Sequence, residues 1–237
     1  MDPISKERTL LLPGGPQVRR KGDGAMDLMS RLKEELKRRE HRAYLDRKRA
    51  RLKCPGFSII CSNCIGGVMY HDLGLEFLSP TVNLTISMPD LVKMAGDLRW
   101  YMDQPLVELD LDEPWPAARL GEGDSAVQIN FLHYDTFQDA LEKWEERKRK
   151  INYDRLVLMG MDRNCCDYET LRRFDRLPWP NKLVFTHVPY PEFSSACYVK
   201  GFEDQPELGT LTNFKPGFLR RRYLDAFDYV SFLNHLR

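Results

Sequence analysis

The stretch Phe57-Ser58-Ile59-Ile60-Cys61-Ser62-Asn63-Cys64-Ile65-Gly66-Gly67-Val68-Met69-Tyr70 decides how the rest of the chain is read. It predicts a short buried strand over residues 57–60, a polar turn over 61–63, and a helix that begins near Cys64, runs to about Asp72 and ends at Gly74. A strand that passes into a helix through a polar turn presents that turn at the end of a sheet, beside the N–H groups of the first helical turn. A thiol there is biased toward thiolate by the helix dipole, and the free N–H groups can hold an oxyanion or a phosphate. Cys64 is therefore the candidate nucleophile, with Asn63 and the backbone N–H groups of Cys64 and Ile65 as oxyanion donors. Gly66 and Gly67 would let a substrate approach the backbone closely. The competing structural reading is that cysteine is among the residue types most often buried as a small hydrophobe.

Downstream, residues 127–132 read as a strand that delivers His133, after which Asp135 or Thr136 caps a helix to about Lys150. The apolar run 155–161 reads as a buried strand that delivers Asp162, and 182–186 as a strand that delivers His187. Between the opening motif and His133 lie a strand or loop over 75–86 and one helix from Pro89 to about Met102. A short strand over 106–109 and a Pro- and Gly-rich surface loop or lid over 113–124 follow. A helix over about 167–177, an extended pair near 197–200 and a C-terminal helix over 218–235 close the chain. This alternation predicts an α/β class, either a three-layer domain or a papain-like α+β domain, with a central mostly parallel or mixed sheet.

Strand ends of one sheet converge on one edge. Cys64 would then attack a carbonyl, His133 would take and return the proton, and Asp162 would hold the imidazole, with His187 as the alternative base. The reaction class is acyl transfer, or amide, ester or thioester hydrolysis. Asp162 could instead simply cap the following turn.

Three units are expected: a poorly ordered tail over 1–23, a basic amphipathic helix over 24–53, and a single α/β domain over 54–237. The formal net charge of +1 conceals the basic character of the helix, whose series Leu28, Leu32, Leu36 and then, more weakly, Ala43, Arg47 and Ala50 steps by three, four or seven. It reads as a surface helix packed on the domain by its leucine seam, or as a docking element for an anionic membrane surface. No nucleic-acid module accompanies the charge, so nucleic acid is not an expected partner. No charge-poor apolar run nears the roughly 20 residues of a membrane span, and the N-terminus lacks a signal-peptide core, so a soluble cytoplasmic protein is expected, with peripheral contact to the inner face of the membrane as an option.

The six cysteines are too sparse for a disulfide scaffold, and reduced thiols are expected. Cys61-x-x-Cys64 has redox spacing without the aromatic that usually precedes such a pair. The cysteines offer only one clean pair spacing where structural zinc wants two. Asp110-Leu111-Asp112 reads as a solvated acidic edge, and there is neither a phosphate-binding P-loop nor a dinucleotide-binding glycine fingerprint. No metal and no cofactor are expected.

Several segments together resemble one bacterial family. They are Ser58-Ile59-Ile60, Ser62-Asn63-Cys64-Ile65-Gly66-Gly67, Ser79-Pro80 with Asn83-Leu84, Phe131-Leu132-His133-Tyr134, Ala140, Lys143-Trp144 and Arg147-Lys148-Arg149-Lys150-Ile151-Asn152. Over roughly residues 57–187 the chain is similar to domain-of-unknown-function family 1919, whose members often sit in capsule and exopolysaccharide biosynthesis clusters. The resemblance implies a glycan or lipid-linked sugar intermediate as substrate. It adds Asn83, Tyr134, Trp144, Arg147 and Lys148 as substrate-binding candidates, the basic cluster acting as a clamp for phosphate or uronate groups. The alternative for that cluster is a basic helix end that complements the dipole. A weaker likeness, to papain-like bacterial proteins of unknown function, rests on the order Cys, His, acid. The resulting expectation is a Cys-dependent acyl-transfer or hydrolytic enzyme acting on a glycan or its carrier. Its rivals are a non-catalytic glycan- or carrier-binding assembly factor and a metal-independent glycosyltransferase.

Overall fold

The computed structural model describes residues 24–217 and 220–237, with side chains from Leu28 onward. The expected tail over 1–23 lies outside the described residues. The chain runs through α1 (Gly24–Arg51), β1 (Ser58–Cys61), α2 (Ile65–Leu73), β2 (Thr85–Ile86), α3 (Met88–Gly96), α4 (Leu98–Asp103), β3 (Val107–Leu109), β4 (Ala117–Leu120) and β5 (Val127–Asn130). It continues through α5 (Phe137–Lys148), β6 (Leu156–Met161), α6 (Tyr168–Asp175), β7 (Lys182–Thr186), β8 (Ala196–Tyr198) and α7 (Tyr229–Asn234).

Two four-stranded sheets result. The first, in the order β1-β6-β7-β8, is parallel throughout, and the second, β2-β5-β4-β3, is antiparallel throughout. The composition of the strands explains the division. All six residues of β6 are buried, as a parallel strand covered on both faces requires, whereas β5 buries Val127 and Ile129 and exposes Gln128. Alternation along the parallel strands splits the core in two. Ile60, Leu158 and Val184 join α3, α6 and the antiparallel sheet, while Ile59, Cys61, Val157, Met159 and Phe185 join α2 and α7. Helices on both faces of a parallel sheet make the larger unit the three-layer form, so the papain-like alternative gains no support.

The opening motif folds as expected. Cys64 is the N-cap of α2, and Gly74 ends the helix in the left-handed region at φ 68°. Thr136 caps α5 by accepting the Asp139 N–H, and Asp167 caps α6 by accepting the Thr170 N–H.

Four expectations are corrected. The Pro- and Gly-rich 113–124 segment contains β4, which pairs with both β3 and β5, because Ala117, Ala118 and Leu120 are buried and both prolines precede the ladder. The single helix from Pro89 to Met102 is two helices, broken at Gly96 and Asp97, where Asp97 becomes the cap of α4. The C-terminal helix shrinks to α7, preceded by a 3-10 turn over Tyr223–Ala226 in which Asp225 faces Arg222 and Lys48.

The fourth correction concerns α1. Its leucine seam does not pack on the domain: Leu28, Met29, Leu32 and Leu36 are 69%, 57%, 54% and 54% exposed. The domain side of the helix is polar. Glu34 binds Arg220, Glu40 binds Arg221, and Lys48 reaches Asp225 at 2.7 Å. Behind Lys48 lies a buried charge network in which the Arg222 guanidinium pairs both Asp72 and Asp225, and Tyr229 donates to Asp72 at 2.7 Å. Buried ions are stable only when compensated this fully, so the network fixes the C-terminal half of α1 to α2 and the chain terminus. Among the described residues no helix is long and apolar enough to cross a membrane.

Candidate functional site

The carboxyl ends of the parallel strands carry the turn at 62–64, the loop 162–166 after β6 and His187 after β7. Asp162 and His187 come together there. His187 Nδ1 lies 2.6 Å from Asp162 Oδ2, and the same oxygen accepts the His187 backbone N–H at 2.8 Å. An oxygen that already accepts one N–H acts as the acceptor for the ring, so Nδ1–H donates and Nε2 is left for other chemistry. Asp162 Oδ1 accepts the Leu208 N–H at 3.2 Å. Burial pushes the Asp162 carboxyl above its usual range, although the bonds from His187 and Leu208 oppose the shift. The carboxylate is 3% exposed and the imidazole 15%.

One strand along the edge, a cleft of about 440 Å³ opens between the two sheets. Asn63, Cys64 and Ile65 form one wall, Met161, Arg163 and Asn164 another, and Thr85, Trp115, Leu132 and residues 210–212 the rest. The Ile86 N–H donates to Ser62 O at 2.8 Å and so holds β2 against the turn. Asn164 and Cys165 both have left-handed backbone, with φ 55° and 64°. Non-glycine residues rarely take this conformation, least of all in succession. The loop is pinned from both sides: the Asn164 N–H donates to Glu207 at 3.1 Å, and Asn164 O accepts the Met88 N–H at 3.2 Å. Arg163 Nε and Trp115 Nε1 are buried N–H groups without hydrogen-bond partners among the described residues.

Other expected site residues have different roles. Cys64 sits on the cleft wall, but its thiol contacts Leu84 O at 3.8 Å and bonds neither histidine. Burial pushes this thiol up, so the expected bias toward thiolate is reversed: desolvation outweighs the helix terminus. Asn63 Oδ1 accepts the Ile65 N–H at 3.0 Å, which removes that donor from any oxyanion hole and makes Asn63 the working cap. Gly66 and Gly67 serve helix packing rather than substrate approach. A Cβ at Gly66 would lie 3.1 Å from Ile59 Cγ2, and one at Gly67 would lie 3.0 Å from Val82 Cγ1.

His133 follows β5, in the other sheet, and is exposed without a hydrogen bond among the described residues. Asn83 takes a left-handed turn at φ 64° beside Gly67. The basic clamp is a packed cluster instead. Trp144 is 1% exposed against Phe131, and Arg147 is 7% exposed, donates to Tyr134 Oη at 2.9 Å and stacks over Phe77. Lys148 pairs with Glu145 at 2.7 Å. Cys61 is buried in β1, and burial pushes its thiol up to about 11. Asp110 lines a separate open groove of about 660 Å³ with Glu108, Glu113 and Asp135.

The family model for a domain of unknown function, DUF1919, matches residues 35–234. The chain belongs to the DUF1919 family. A protein of Haemophilus influenzae described as uncharacterized is 36% identical over 211 residues, covering 89% of this chain and all of its own length. The match takes in both sheets of this DUF1919 protein, the Asp162–His187 pair and most of α1, well beyond the segments that carried the resemblance. Sequence reasoning missed Arg163, Asn164 and Trp115 as cleft residues. Their only signal was position, Arg163 and Asn164 directly after Asp162 and Trp115 directly before β4.

Proposed function

We propose that this DUF1919 protein is a group-transfer or hydrolytic enzyme in which His187, oriented by Asp162, acts as general base on a hydroxyl or water at the cleft. The Asp162–His187 pair carries this reading. A buried carboxylate that fixes the imidazole tautomer and leaves Nε2 facing away is the arrangement a histidine base requires. We take the substrate to be a glycan or carrier-linked sugar of the capsule or exopolysaccharide class. That class comes from the family resemblance. The partnerless N–H groups of Arg163 and Trp115 support it, since acceptor-rich hydroxyl, uronate or phosphate groups would satisfy them after a small side-chain rotation. A thiol route through Cys64 is the second reading, favoured by its place on the cleft wall.

The test is turnover of activated sugars and acyl esters, with cell-envelope glycans as acceptors, by wild type, His187→Gln and Cys64→Ala. The expected result is a loss of about 10²- to 10⁴-fold in His187→Gln and near wild-type rates in Cys64→Ala. Activity indifferent to His187→Gln but lost in Cys64→Ala would move the chemistry to the thiol. Calorimetric binding of the same glycans with no turnover would favour a non-catalytic assembly factor.

A further inference from the structure

α1 turns its apolar side away from the protein. Leu28, Leu32 and Leu36 step by four residues along one face, and all are more than half exposed. The opposite face carries the contacts to the domain, through Glu34, Glu40, Tyr44 and Lys48. A seam of leucines with no neighbour among the described residues is covered by something else or left in water, and three large apolar side chains in one line are unfavourable in water.

The charges around the seam identify the occupant. Lys33, Arg42 and Arg47 flank it and form no ion pair among the described residues. The acids on the outer side are already engaged, Glu35 with Arg39 at 3.1 Å and Asp46 with Arg49 at 3.0 Å. A second copy laid along the seam would set these basic rows against each other, with no free carboxylate among the described side chains of α1 to receive them. A negatively charged lipid surface complements both features at once: acyl chains take up the leucines, and headgroups meet the cations.

We propose that the outward face of α1 docks the protein on an anionic lipid membrane. The helix would lie in the interface plane, with the domain on its far side. Because Lys48 and Arg222 fix its C-terminal half to the body, docking would also set the orientation of the domain to the bilayer.

The test is sedimentation of the full chain with phosphatidylcholine vesicles containing or lacking about one-third phosphatidylserine, at low and high salt. Two variants are compared with wild type. Leu28→Ser/Leu32→Ser/Leu36→Ser removes the seam, and Lys33→Gln/Arg42→Gln/Arg47→Gln removes flanking charge; both lie on exposed positions, and thermal melts check that the fold is retained. The expected result is binding to the anionic vesicles only, weakened by salt, abolished in the leucine variant and reduced about a hundredfold in the charge variant. Equal binding to neutral vesicles, or binding indifferent to the leucine variant, overturns the proposal. So does the absence of binding by wild type, or a wild-type dimer in ultracentrifugation that the leucine variant dissociates, which would give the seam to a second copy.

Discussion

Asp225 and Asp162 are both buried aspartates, with side chains 0% and 3% exposed, and the protein treats them in opposite ways. Burial alone would raise both. At Asp225 the hydrogen bonds from Arg222 and Lys48 overcome it and hold the carboxyl at about 2. At Asp162 the partners are an imidazole and two backbone N–H groups, and burial wins, so the carboxyl stays above its usual range. The difference separates scaffold from site. A carboxylate matched by a guanidinium and an ammonium stays ionised and works as a clamp. One matched by a histidine keeps a raised carboxyl, and it stands at the carboxyl end of the parallel sheet.

The comparison breaks most visibly at Arg222. Arg222→Met keeps the volume but leaves Asp72 without its cation and Asp225 with Lys48 alone. Stability is expected to fall by about 3–5 kcal/mol, read as a lower urea midpoint in chemical unfolding. A loss under about 1 kcal/mol would mean that the network is not a clamp. The next effect is on acid stability. Asp225 is depressed in the folded state, so its contribution is present above the unfolded value of about 4 and disappears as pH falls through about 2. Wild type should lose about 2 kcal/mol across that window from this group, and Asp225→Asn should lack that part of the acid arm.

The sequence made the parallel sheet legible and left the pairing of its site hidden. Strands β1, β6 and β7 stand out because buried parallel strands are continuous apolar runs, and each run ends on a chemically distinctive residue: Asn63 or Cys64, Asp162, and His187. The choice of His133 as base rested on all strand ends sharing one edge. β5 belongs to the antiparallel sheet, so its end does not meet Cys64, and nothing in a strand's own residues says which sheet it will join. β4 was concealed by the prolines at 114 and 116, which lie just outside the ladder. The leucine seam of α1 had the right period, but period shows that a face is apolar, not which way it turns. Arg222 lies 150 residues from Asp72 and Asp225 lies further still, and no local pattern joins them.

The smallest expected stability effect sharpens the contrast most. Asp162 has a raised carboxyl in the folded state, so its linkage runs opposite to that of Asp225: the contribution is present at low pH and is lost as pH rises through the folded value. Above that value the ionised carboxylate therefore costs stability. Asp162→Asn removes that charge, but its one carbonyl oxygen can replace only one of the two carboxylate oxygens and so keeps either the Leu208 or the His187 N–H; the lost bond offsets the relief of the charge, and stability should change by less than about 1 kcal/mol, in either direction. Relative to wild type, the variant should gain as pH rises. It should nevertheless lose any turnover that depends on His187, because an amide no longer fixes the imidazole as Nδ1–H donor or stabilises its protonated form. Thermal melts across pH combined with rate measurements on one preparation check both halves. A variant that unfolds like Arg222→Met would make Asp162 a second clamp, and one that keeps full activity would exclude His187 as the general base.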